Sequence, residues 1–209
     1  MLNLLFIIII GYLLGSIPTA IITGKILKGI DIRRQGSGNA GATNVFRVLG
    51  WKAGLFVLLI DAAKGFIATV FVYKIAVGAV QLDGVILQII AGMSAVLGHI
   101  WTVFAGFKGG KGVGTGAGMV IGLAPEAVLA ALLIFIITVA LTRFVSLGSI
   151  LASITVFLYL FGKRFLFDQP VPNTLLVFSV LIPVLIIFTH RSNIIRLLKG
   201  TENKINFKK

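Results

Sequence analysis

The 209-residue sequence contains no cysteine, so disulfides, thiolate nucleophiles and cysteine-bound metals are excluded. Charged residues make up only 12% of the chain, whereas a soluble domain carries about 25%. Acidic residues are scarce, with 6 Asp and Glu against 19 Lys and Arg, and there are only 2 histidines. The chemistry left to the chain is that of amines, guanidinium groups, amides, hydroxyls and two imidazoles.

Hydrophobic residues are abundant instead and make up 58% of the chain. Several apolar stretches approach or exceed the ~20 residues that a helix needs to cross ~30 Å of hydrocarbon. The sequence therefore predicts an all-α, polytopic membrane helical bundle that forms a single domain over residues 1–209. We expect about seven transmembrane helices, at roughly residues 3–24, 53–74, 85–105, 112–123, 126–142, 146–162 and 174–190.

The fourth predicted span is the shortest, because Ala124-Pro125-Glu126 interrupts an apolar run from Val113 to Leu141. Proline fits the first turn of a new helix and is poorly tolerated inside one, so two helices are predicted. One helix here would give six spans and place the basic tail outside. Two helices give seven spans and place the tail in the cytoplasm, which agrees with its charge. A helix of a dozen residues covers about 18 Å, so residues 112–123 are also compatible with a half-helix.

The net charge of +13 would suggest a nucleic-acid partner for a soluble protein, but in membrane proteins Lys and Arg accumulate in cytoplasmic loops. We therefore expect no nucleic-acid partner, a location in a cell membrane, an N-terminus outside and a C-terminus in the cytoplasm. The first apolar run is longer than a signal-peptide core and is predicted to be a retained span. Only three basic residues would lie outside, namely Lys74, Lys163 and Arg164.

Three polar, glycine-rich or basic segments are unusual for simple connectors, and the predicted topology places all three on the cytoplasmic side. Segment 1 is GSGNAGATNVFRVLG, residues 36–50; segment 2 is GHIWTVFAGFKGGKGVGTGAG, residues 98–118; segment 3 is THRSNIIRLLKGTE, residues 189–202. We expect the three segments to build one phosphate-handling active site.

Segment 2 combines bare glycine backbone with the start of a helix, which is the physical basis of an anion-binding nest. Lys108 and Lys111 add positive charge, so phosphate is the expected guest. Gly114, Gly116 and Gly118 have an alternative role in close helix packing. The Walker A and Rossmann patterns are not satisfied, because the required neighbouring residues or the βαβ context are missing.

Segments 1 and 3 contribute further candidates. Arg47 offers a bidentate fork for phosphate, with a topogenic charge as the alternative, while Asn and Ser in such loops usually build turns. His190 is expected where the last span reaches water, and capping competes with a functional role there. His99 is expected to be a hydrogen-bonded structural residue. Asp61 and Lys64 share one helix face, which favours an ion pair, with a functional role as the alternative because ionisable groups at membrane depth often have one.

In this order, the three segments resemble the acyl-phosphate:glycerol-3-phosphate acyltransferases of bacteria, the PlsY family. The matching patterns are GSGN-x-GATN-x-x-R, GH-x-W-x-VF-x-x-FKGGKG and HR-x-N-x-x-RL-x-x-G-x-E, and the resemblance covers essentially the whole chain. It implies transfer of a fatty acyl group from acyl phosphate to the 1-hydroxyl of sn-glycerol 3-phosphate. The products would be lysophosphatidic acid, the first intermediate of phospholipid biosynthesis, and inorganic phosphate. The sequence departs from the family pattern at Thr102, where proline is usual.

The resemblance also implies the residues of the site. Its catalytic positions correspond to Ser37, Arg47, Lys111, His190 and Asn193. Its supporting positions, which would bind substrate or phosphate, correspond to Asn39, Thr43, Asn44, Lys108, Gly109, Gly110, Gly112 and Arg191. The proton acceptor stays open between His190 and a phosphate oxygen of the substrate, and we favour the phosphate oxygen. No cofactor and no metal site are predicted.

The donor is consistent with the residues present. An acyl phosphate is a mixed anhydride with a good leaving group, so positioning and charge stabilisation suffice and no covalent nucleophile is needed. No histidine is followed five positions later by Asp, so the His-x4-Asp acyltransferases that use acyl-CoA or acyl carrier protein are not matched. The rival interpretation is an organic-phosphate transporter, whose site would lie near the bilayer midplane. A lipid-binding membrane protein with a polybasic tail is a third, weaker alternative, and a monomer is plausible.

Overall fold

A computed structural model describes residues 2–75 and 82–206, and the side chains from residue 4 onward. Within these ranges the chain forms ten α-helices and three short 3-10 turns, and no β-strand. The helices fall into two compact units, of which the first ends at Leu123 and the second begins at Ala124. The all-α class is therefore confirmed, while the single domain over residues 1–209 stays a prediction.

The first unit is built of helices that are mostly apolar, because membrane lipid is their expected solvent. They are α1 (Leu2–Ser16), α2 (Thr19–Lys28), α3 (Ala42–Leu49), α4 (Trp51–Val70), α5 (Gly84–Ile100) and α6 (Val113–Leu123). Helix α1 packs against α5, and α4 packs against both α5 and α6. Short 3-10 turns lie at Ile32–Arg34, Val72–Lys74 and Val103–Ala105.

Small residues allow these helices to approach closely. A Cβ added to Gly15 would lie 2.0 Å from the carbonyl oxygen of Ala95, and one added to Gly118 would lie 1.8 Å from that of Ala62. Such backbone contact is typical of helix pairs in membranes. A Cβ on Gly116 would meet nothing within 4 Å. The packing role therefore holds for Gly118 and not for Gly116.

The first predicted span is interrupted rather than continuous. Pro18 has no N–H and cannot continue the helix, so α1 ends at Ser16 and α2 begins at Thr19. Together the two helices cover the apolar stretch Leu4–Lys28, which is 25 residues long. The span is therefore longer than predicted and contains a break in its middle that was not predicted.

The second unit contains four helices that follow one another through short connections. They are α7 (Pro125–Thr142), α8 (Val145–Phe165), α9 (Asn173–Thr189) and α10 (Arg191–Leu198). Helix α8 packs against α7 and α9, and α10 turns away from α9 by 65°. After α10 the chain passes the α7–α8 turn, where the N–H of Ile205 donates to the carbonyl of Arg143 at 2.9 Å. At the opposite end of α7, Glu126 pairs with Lys163.

Five helical stretches of the described residues are long and apolar enough to cross a membrane, and there are six if the bent pair α9 and α10 is counted as one span. Helix α6 has 11 residues and covers about 16 Å, roughly half of the hydrocarbon layer. The break predicted at Pro125 is confirmed, because α7 begins on that residue. The count of seven spans and the orientation of the termini stay predictions.

Candidate active site

Segment 1 is half loop and half helix, whereas a single loop was predicted. The chain is irregular up to Gly41, and α3 then carries Thr43, Asn44 and Arg47. Ser37 is exposed in the loop, and Arg47 is half-buried in the last turn of α3. The small and polar residues of this segment indicated turns, which is why the helix was missed.

Asn44 holds the loop of segment 1 in shape. Its Oδ1 accepts the N–H of Ser37 at 2.7 Å, and its Nδ2 donates to the carbonyls of Ile32 and Gln35, both at 3.0 Å. The side chain is buried. Because its amide group is directed to the loop itself, this geometry favours a role in presenting Ser37 over direct contact of Asn44 with phosphate.

Segments 1 and 2 are neighbours in the first unit. Arg33, just before segment 1, donates from Nη1 to the carbonyl of Ala105 at 2.9 Å. A Cβ on Gly110 would lie 3.0 Å from the carbonyl oxygen of Ala40. The hydrogen bonds from Arg33 also lower the pKa of the Asp31 carboxyl to about 2, so this ion pair holds at neutral pH.

The glycine turn of segment 2 is folded onto the end of α5. The N–H of Gly109 donates to the carbonyl of Ile100 at 3.0 Å, and that of Gly110 donates to the carbonyl of His99 at 3.1 Å. Both amides were expected to be free for an anion, and that expectation is wrong for these two groups. Gly112, with a φ of 83°, then turns the chain into α6, whose first N–H groups have no acceptor within the helix.

The start of α6 is therefore the part of segment 2 best suited to an anion. Lys111 stands just before it and is half-buried, and Lys108 is exposed. Thr115, in the first turn, is buried, and its Oγ1 has no hydrogen-bond partner among the residues that the structure describes. A buried hydroxyl of this kind is rare in proteins. Thr115 was not among the residues predicted from the sequence, although it is the only hydroxyl residue in this run of glycines.

In segment 3, His190 forms the junction between α9 and α10. Its Nδ1 lies 2.8 Å from the carbonyl oxygen of Ile186, and because a carbonyl can only accept, Nδ1 carries the proton. A neutral imidazole then has its lone pair on Nε2. His190 lies at the end of α9, as predicted, and its side chain is only 3% exposed. Arg191 is exposed and lies 4.8 Å from the ring centre of Phe188.

Asn193 is 6% exposed and is held by Glu202. Its Nδ2 donates to Glu202 Oε1 at 2.6 Å; Ser146 Oγ donates to the same oxygen at 2.9 Å, and Arg196 Nε donates to Oε2 at 2.7 Å. Burial alone would raise the pKa of the Glu202 carboxyl, but the three hydrogen bonds outweigh it and lower that pKa below its usual value. Glu202 was not selected from the sequence, although it is the only acidic residue of segment 3.

The structure therefore gathers the candidates into two groups. Segments 1 and 2 lie together in the first unit, with Asn39 and Thr43 half-buried, and segment 3 belongs to the second unit. That segment 3 completes the same site stays a prediction. The predicted ion pair is confirmed, since Lys64 Nζ lies 2.8 Å from Asp61 Oδ1.

Comparison with known proteins identifies the family. Residues 5–200 match the family described as glycerol-3-phosphate acyltransferase. The chain belongs to this family. A glycerol-3-phosphate acyltransferase from Chlorobium phaeobacteroides is 50% identical over 231 residues, covering 99% of this chain and 98% of that protein. Another from Chlorobaculum tepidum is 51% identical over 228 residues, with 99% and 98% covered.

Solved structures of the glycerol-3-phosphate acyltransferase family share the fold. One is PlsY (YgiH), an integral membrane glycerol 3-phosphate acyltransferase in its glycerol 3-phosphate form, with a TM-score of 0.81 and 41% identity over 97% of this chain and 96% of that one. Its lysophosphatidic acid form has a TM-score of 0.82 and 40% identity over 98% and 96%. The resemblance inferred from the three segments and the multi-pass membrane architecture are confirmed, and a transporter is not favoured.

Proposed function

We propose that this protein transfers a fatty acyl group from acyl phosphate to the 1-hydroxyl of sn-glycerol 3-phosphate, giving lysophosphatidic acid and inorganic phosphate. The observation that carries the proposal is family membership over nearly the whole chain, with glycerol-3-phosphate acyltransferases that are about half identical to it. The juxtaposition of segments 1 and 2 supports it, because the acceptor and the donor both carry phosphate.

Phosphate binding rests on cationic side chains and on the start of α6. The N-terminus of a helix carries partial positive charge and N–H groups without internal acceptors, which suits an anion. We assign one substrate phosphate to Lys111 and this helix end, with the exposed Lys108 adding to the positive field. The other phosphate is assigned by the family resemblance to Ser37, Arg47, His190 and Asn193.

The chemical step needs no covalent enzyme intermediate. The 1-hydroxyl oxygen attacks the acyl carbonyl carbon, the bond from that carbon to the bridging phosphate oxygen breaks, and phosphate leaves with the electron pair. The hydroxyl proton passes to a phosphate oxygen of the substrate, and fixed cations offset the charge that develops. His190, with its lone pair on Nε2, has the tautomer needed to accept a hydrogen bond from the hydroxyl or to take its proton instead.

We also propose that the active site faces the cytoplasm at the inner membrane, with the C-terminus inside. In the second unit, Arg143 and the tail up to residue 206 lie at one end, and Lys163 and Arg164 lie at the other. Because most basic residues of a membrane protein stay in the cytoplasm, the end with the tail is assigned to that side. We propose a monomer that needs no cofactor.

Activity without a membrane barrier tests the function. Purified protein in detergent, supplied with acyl phosphate and glycerol 3-phosphate, should release phosphate and form lysophosphatidic acid. A transporter would turn nothing over there, so no product under these conditions would overturn the enzyme assignment. Product formed from acyl-CoA and not from acyl phosphate would contradict the assigned donor.

Two substitutions test the assigned cations. Lys111→Ala and Arg47→Ala should each abolish turnover while the folded protein is recovered normally, because each removes a positive charge at a phosphate. Lys28→Ala removes an exposed charge at the end of α2 and is the matched control, with activity retained. Rates near that of the wild type for the first two variants would refute their roles.

A further inference from the structure

Three ionisable side chains form a buried cluster in the first unit. Asp61 and Lys64 of α4 are each 3% exposed, and His99 of α5 is 8% exposed. Lys64 Nζ lies 2.8 Å from Asp61 Oδ1, and this oxygen accepts no well-directed hydrogen bond from the described part of the chain, so that contact is chiefly electrostatic. Charges at membrane depth are costly unless they are paired, so a cluster of this kind needs a reason.

Part of the reason is the break between α1 and α2. The N–H of Ile21 donates to Pro18 instead of to Ile17, and at the break the Ile17 carbonyl accepts the N–H of Thr19 at 3.0 Å. Lys64 Nζ donates to that carbonyl at 2.9 Å. The ammonium group thus stabilises the broken span, and Asp61 balances its charge.

His99 connects this ion pair to the glycine turn of segment 2. Its Nδ1 lies 3.6 Å from Asp61 Oδ1 and 3.5 Å from Lys64 Nζ. Its opposite edge faces Gly110, where an added Cβ would lie only 2.2 Å from Nε2. A cavity of about 10 Å³, roughly the size of one water molecule, is bordered by Asp61, His99, Gly109 and Gly110.

The cluster touches the chain on both sides of Lys111. His99 lies close to Gly110 before it, and Asp61 lies close to Gly114 after it, since a Cβ added to Gly114 would lie 3.2 Å from the Cβ of Asp61. The backbone that leads from Lys111 into α6 therefore packs against buried ionisable side chains. A shift of about 1 Å in such a support can cost a hundredfold in rate.

We propose that His99 is a positioning residue: its Nδ1 edge lies against the Asp61–Lys64 pair, and its Nε2 edge sets the position of the Gly109–Gly110 turn and so the position of Lys111. His99 does not itself touch the substrates. This inference rests on the proposed function, because the turn matters to activity only if Lys111 and the start of α6 hold phosphate.

Two amide substitutions at His99 distinguish a positioning role from a role that only satisfies the buried charges of Asp61 and Lys64. The amide of His99→Asn reaches the place of Nδ1 and can still meet Asp61 and Lys64, but it leaves the Nε2 place empty. The longer side chain of His99→Gln brings its amide to the place of Nε2, against Gly110. If His99 only satisfied the buried charges, Asn would replace it at least as well as Gln.

The experiment compares both variants with the wild type in detergent. We expect kcat/KM of His99→Asn to fall at least about tenfold and that of His99→Gln to be rescued to within about threefold. Calorimetric titration with inorganic phosphate should show weaker binding to His99→Asn than to His99→Gln. Thermal unfolding should be similar in the two variants, so that the difference does not come from lost fold.

Ser94→Ala is the matched control, because Ser94 is also on α5 but its hydroxyl donates only to Ile90 of the same helix, at 2.7 Å. It should keep wild-type activity and phosphate binding. Equal kcat/KM and equal phosphate affinity in the two His99 variants would overturn the positioning role. A wild-type protein that makes no lysophosphatidic acid would instead overturn the proposed function, so the two failures are distinguishable.

Discussion

Glu202 is the residue on which the geometry of segment 3 depends, since it receives hydrogen bonds from Asn193, Arg196 and Ser146. Glu202→Gln keeps the side-chain shape but loses the charge and one of the two acceptor oxygens. Hydrogen bonds to charged groups contribute about 1.5–3 kcal/mol, so we expect kcat/KM to fall at least about tenfold as Asn193 loses its fixed orientation. Steady-state assays in detergent measure this, and an unchanged kcat/KM would contradict it.

The same carboxylate makes stability depend on pH. Its pKa in the folded protein lies below the ordinary 4.5, so its stabilising contribution is complete above that pH and is lost as pH falls through the folded value. The thermal unfolding temperature of the wild type should therefore fall as the pH is lowered. Glu202→Gln should show a smaller drop; identical pH profiles would show that the hydrogen bonds to this carboxylate do not contribute.

Gly110 and Gly116 provide a matched pair of glycine substitutions. A methyl group at Gly110 would collide with His99 Nε2 at 2.2 Å, whereas one at Gly116 meets nothing within 4 Å. We expect Gly110→Ala to lose at least about tenfold in kcat/KM, because the turn before Lys111 must move. Gly116→Ala, in a helix where alanine is favoured, should retain activity and stability. Similar losses in both variants would point to a general requirement for glycine in this stretch.

At the scale of elements, Thr102 joins the ends of two helices. Its Oγ1 donates to the carbonyl of Ser16, the last residue of α1, and the Tyr12 hydroxyl donates to the carbonyl of the neighbouring Trp101 at 2.5 Å. The Ser16 carbonyl lies at a helix end and has no helical partner to replace this bond. The family usually has proline at this position, and the φ of −66° at Thr102 is the angle that proline imposes.

Thr102→Val has nearly the same shape but no donor. Leaving a buried carbonyl unpaired costs about 1–3 kcal/mol, so we expect the free energy of unfolding to fall by that amount. Thr102→Ser keeps the hydroxyl and should remain close to the wild type. Denaturant or thermal unfolding in detergent makes the comparison, and equal stability of the Val and Ser variants would refute a contribution from the hydroxyl.

A break between elements was predictable where proline stood beside a charged residue. Pro125 lies between Ala124 and Glu126, and the break there was predicted. Pro18 lies between Ile17 and Thr19 in a run without charged residues, and the break was missed because hydrophobicity alone does not report backbone geometry. Helix α3 was missed for a related reason. The small and polar residues around it favour turns locally, and its packing against other helices cannot be read from those residues.

The candidate site was predictable as a set of residues and only partly as a geometry. The order of segments 1, 2 and 3 identified the family, and that identification is confirmed. It was not predictable which glycine N–H groups would donate to backbone carbonyls and so be unavailable to an anion. The hydrogen bond from Gly109 to Ile100 depends on how the turn folds onto α5. The support that His99 gives to this turn likewise required coordinates.

At the scale of the whole molecule, the topology can be tested with single cysteines, because the chain has none of its own. With seven spans, Lys28→Cys and Lys199→Cys lie inside, and Phe167→Cys, at a side chain 72% exposed, lies outside. A membrane-impermeant thiol reagent added to intact cells should label only Phe167→Cys. Lys28→Cys and Lys199→Cys on opposite sides would mean that α6 does not cross the membrane, and the seven-span topology would be wrong.

The depth of the Asp61–Lys64 pair also bears on the response to salt. Dissolved ions screen exposed charges over about 10 Å at 0.1 M, but they do not enter a dry protein interior to the same extent. Raising the ionic strength should therefore weaken the capture of phosphorylated substrates at exposed lysines while the broken first span stays intact. High salt should therefore inhibit the enzyme reversibly. Its full rate should return when the salt is diluted, without a refolding step.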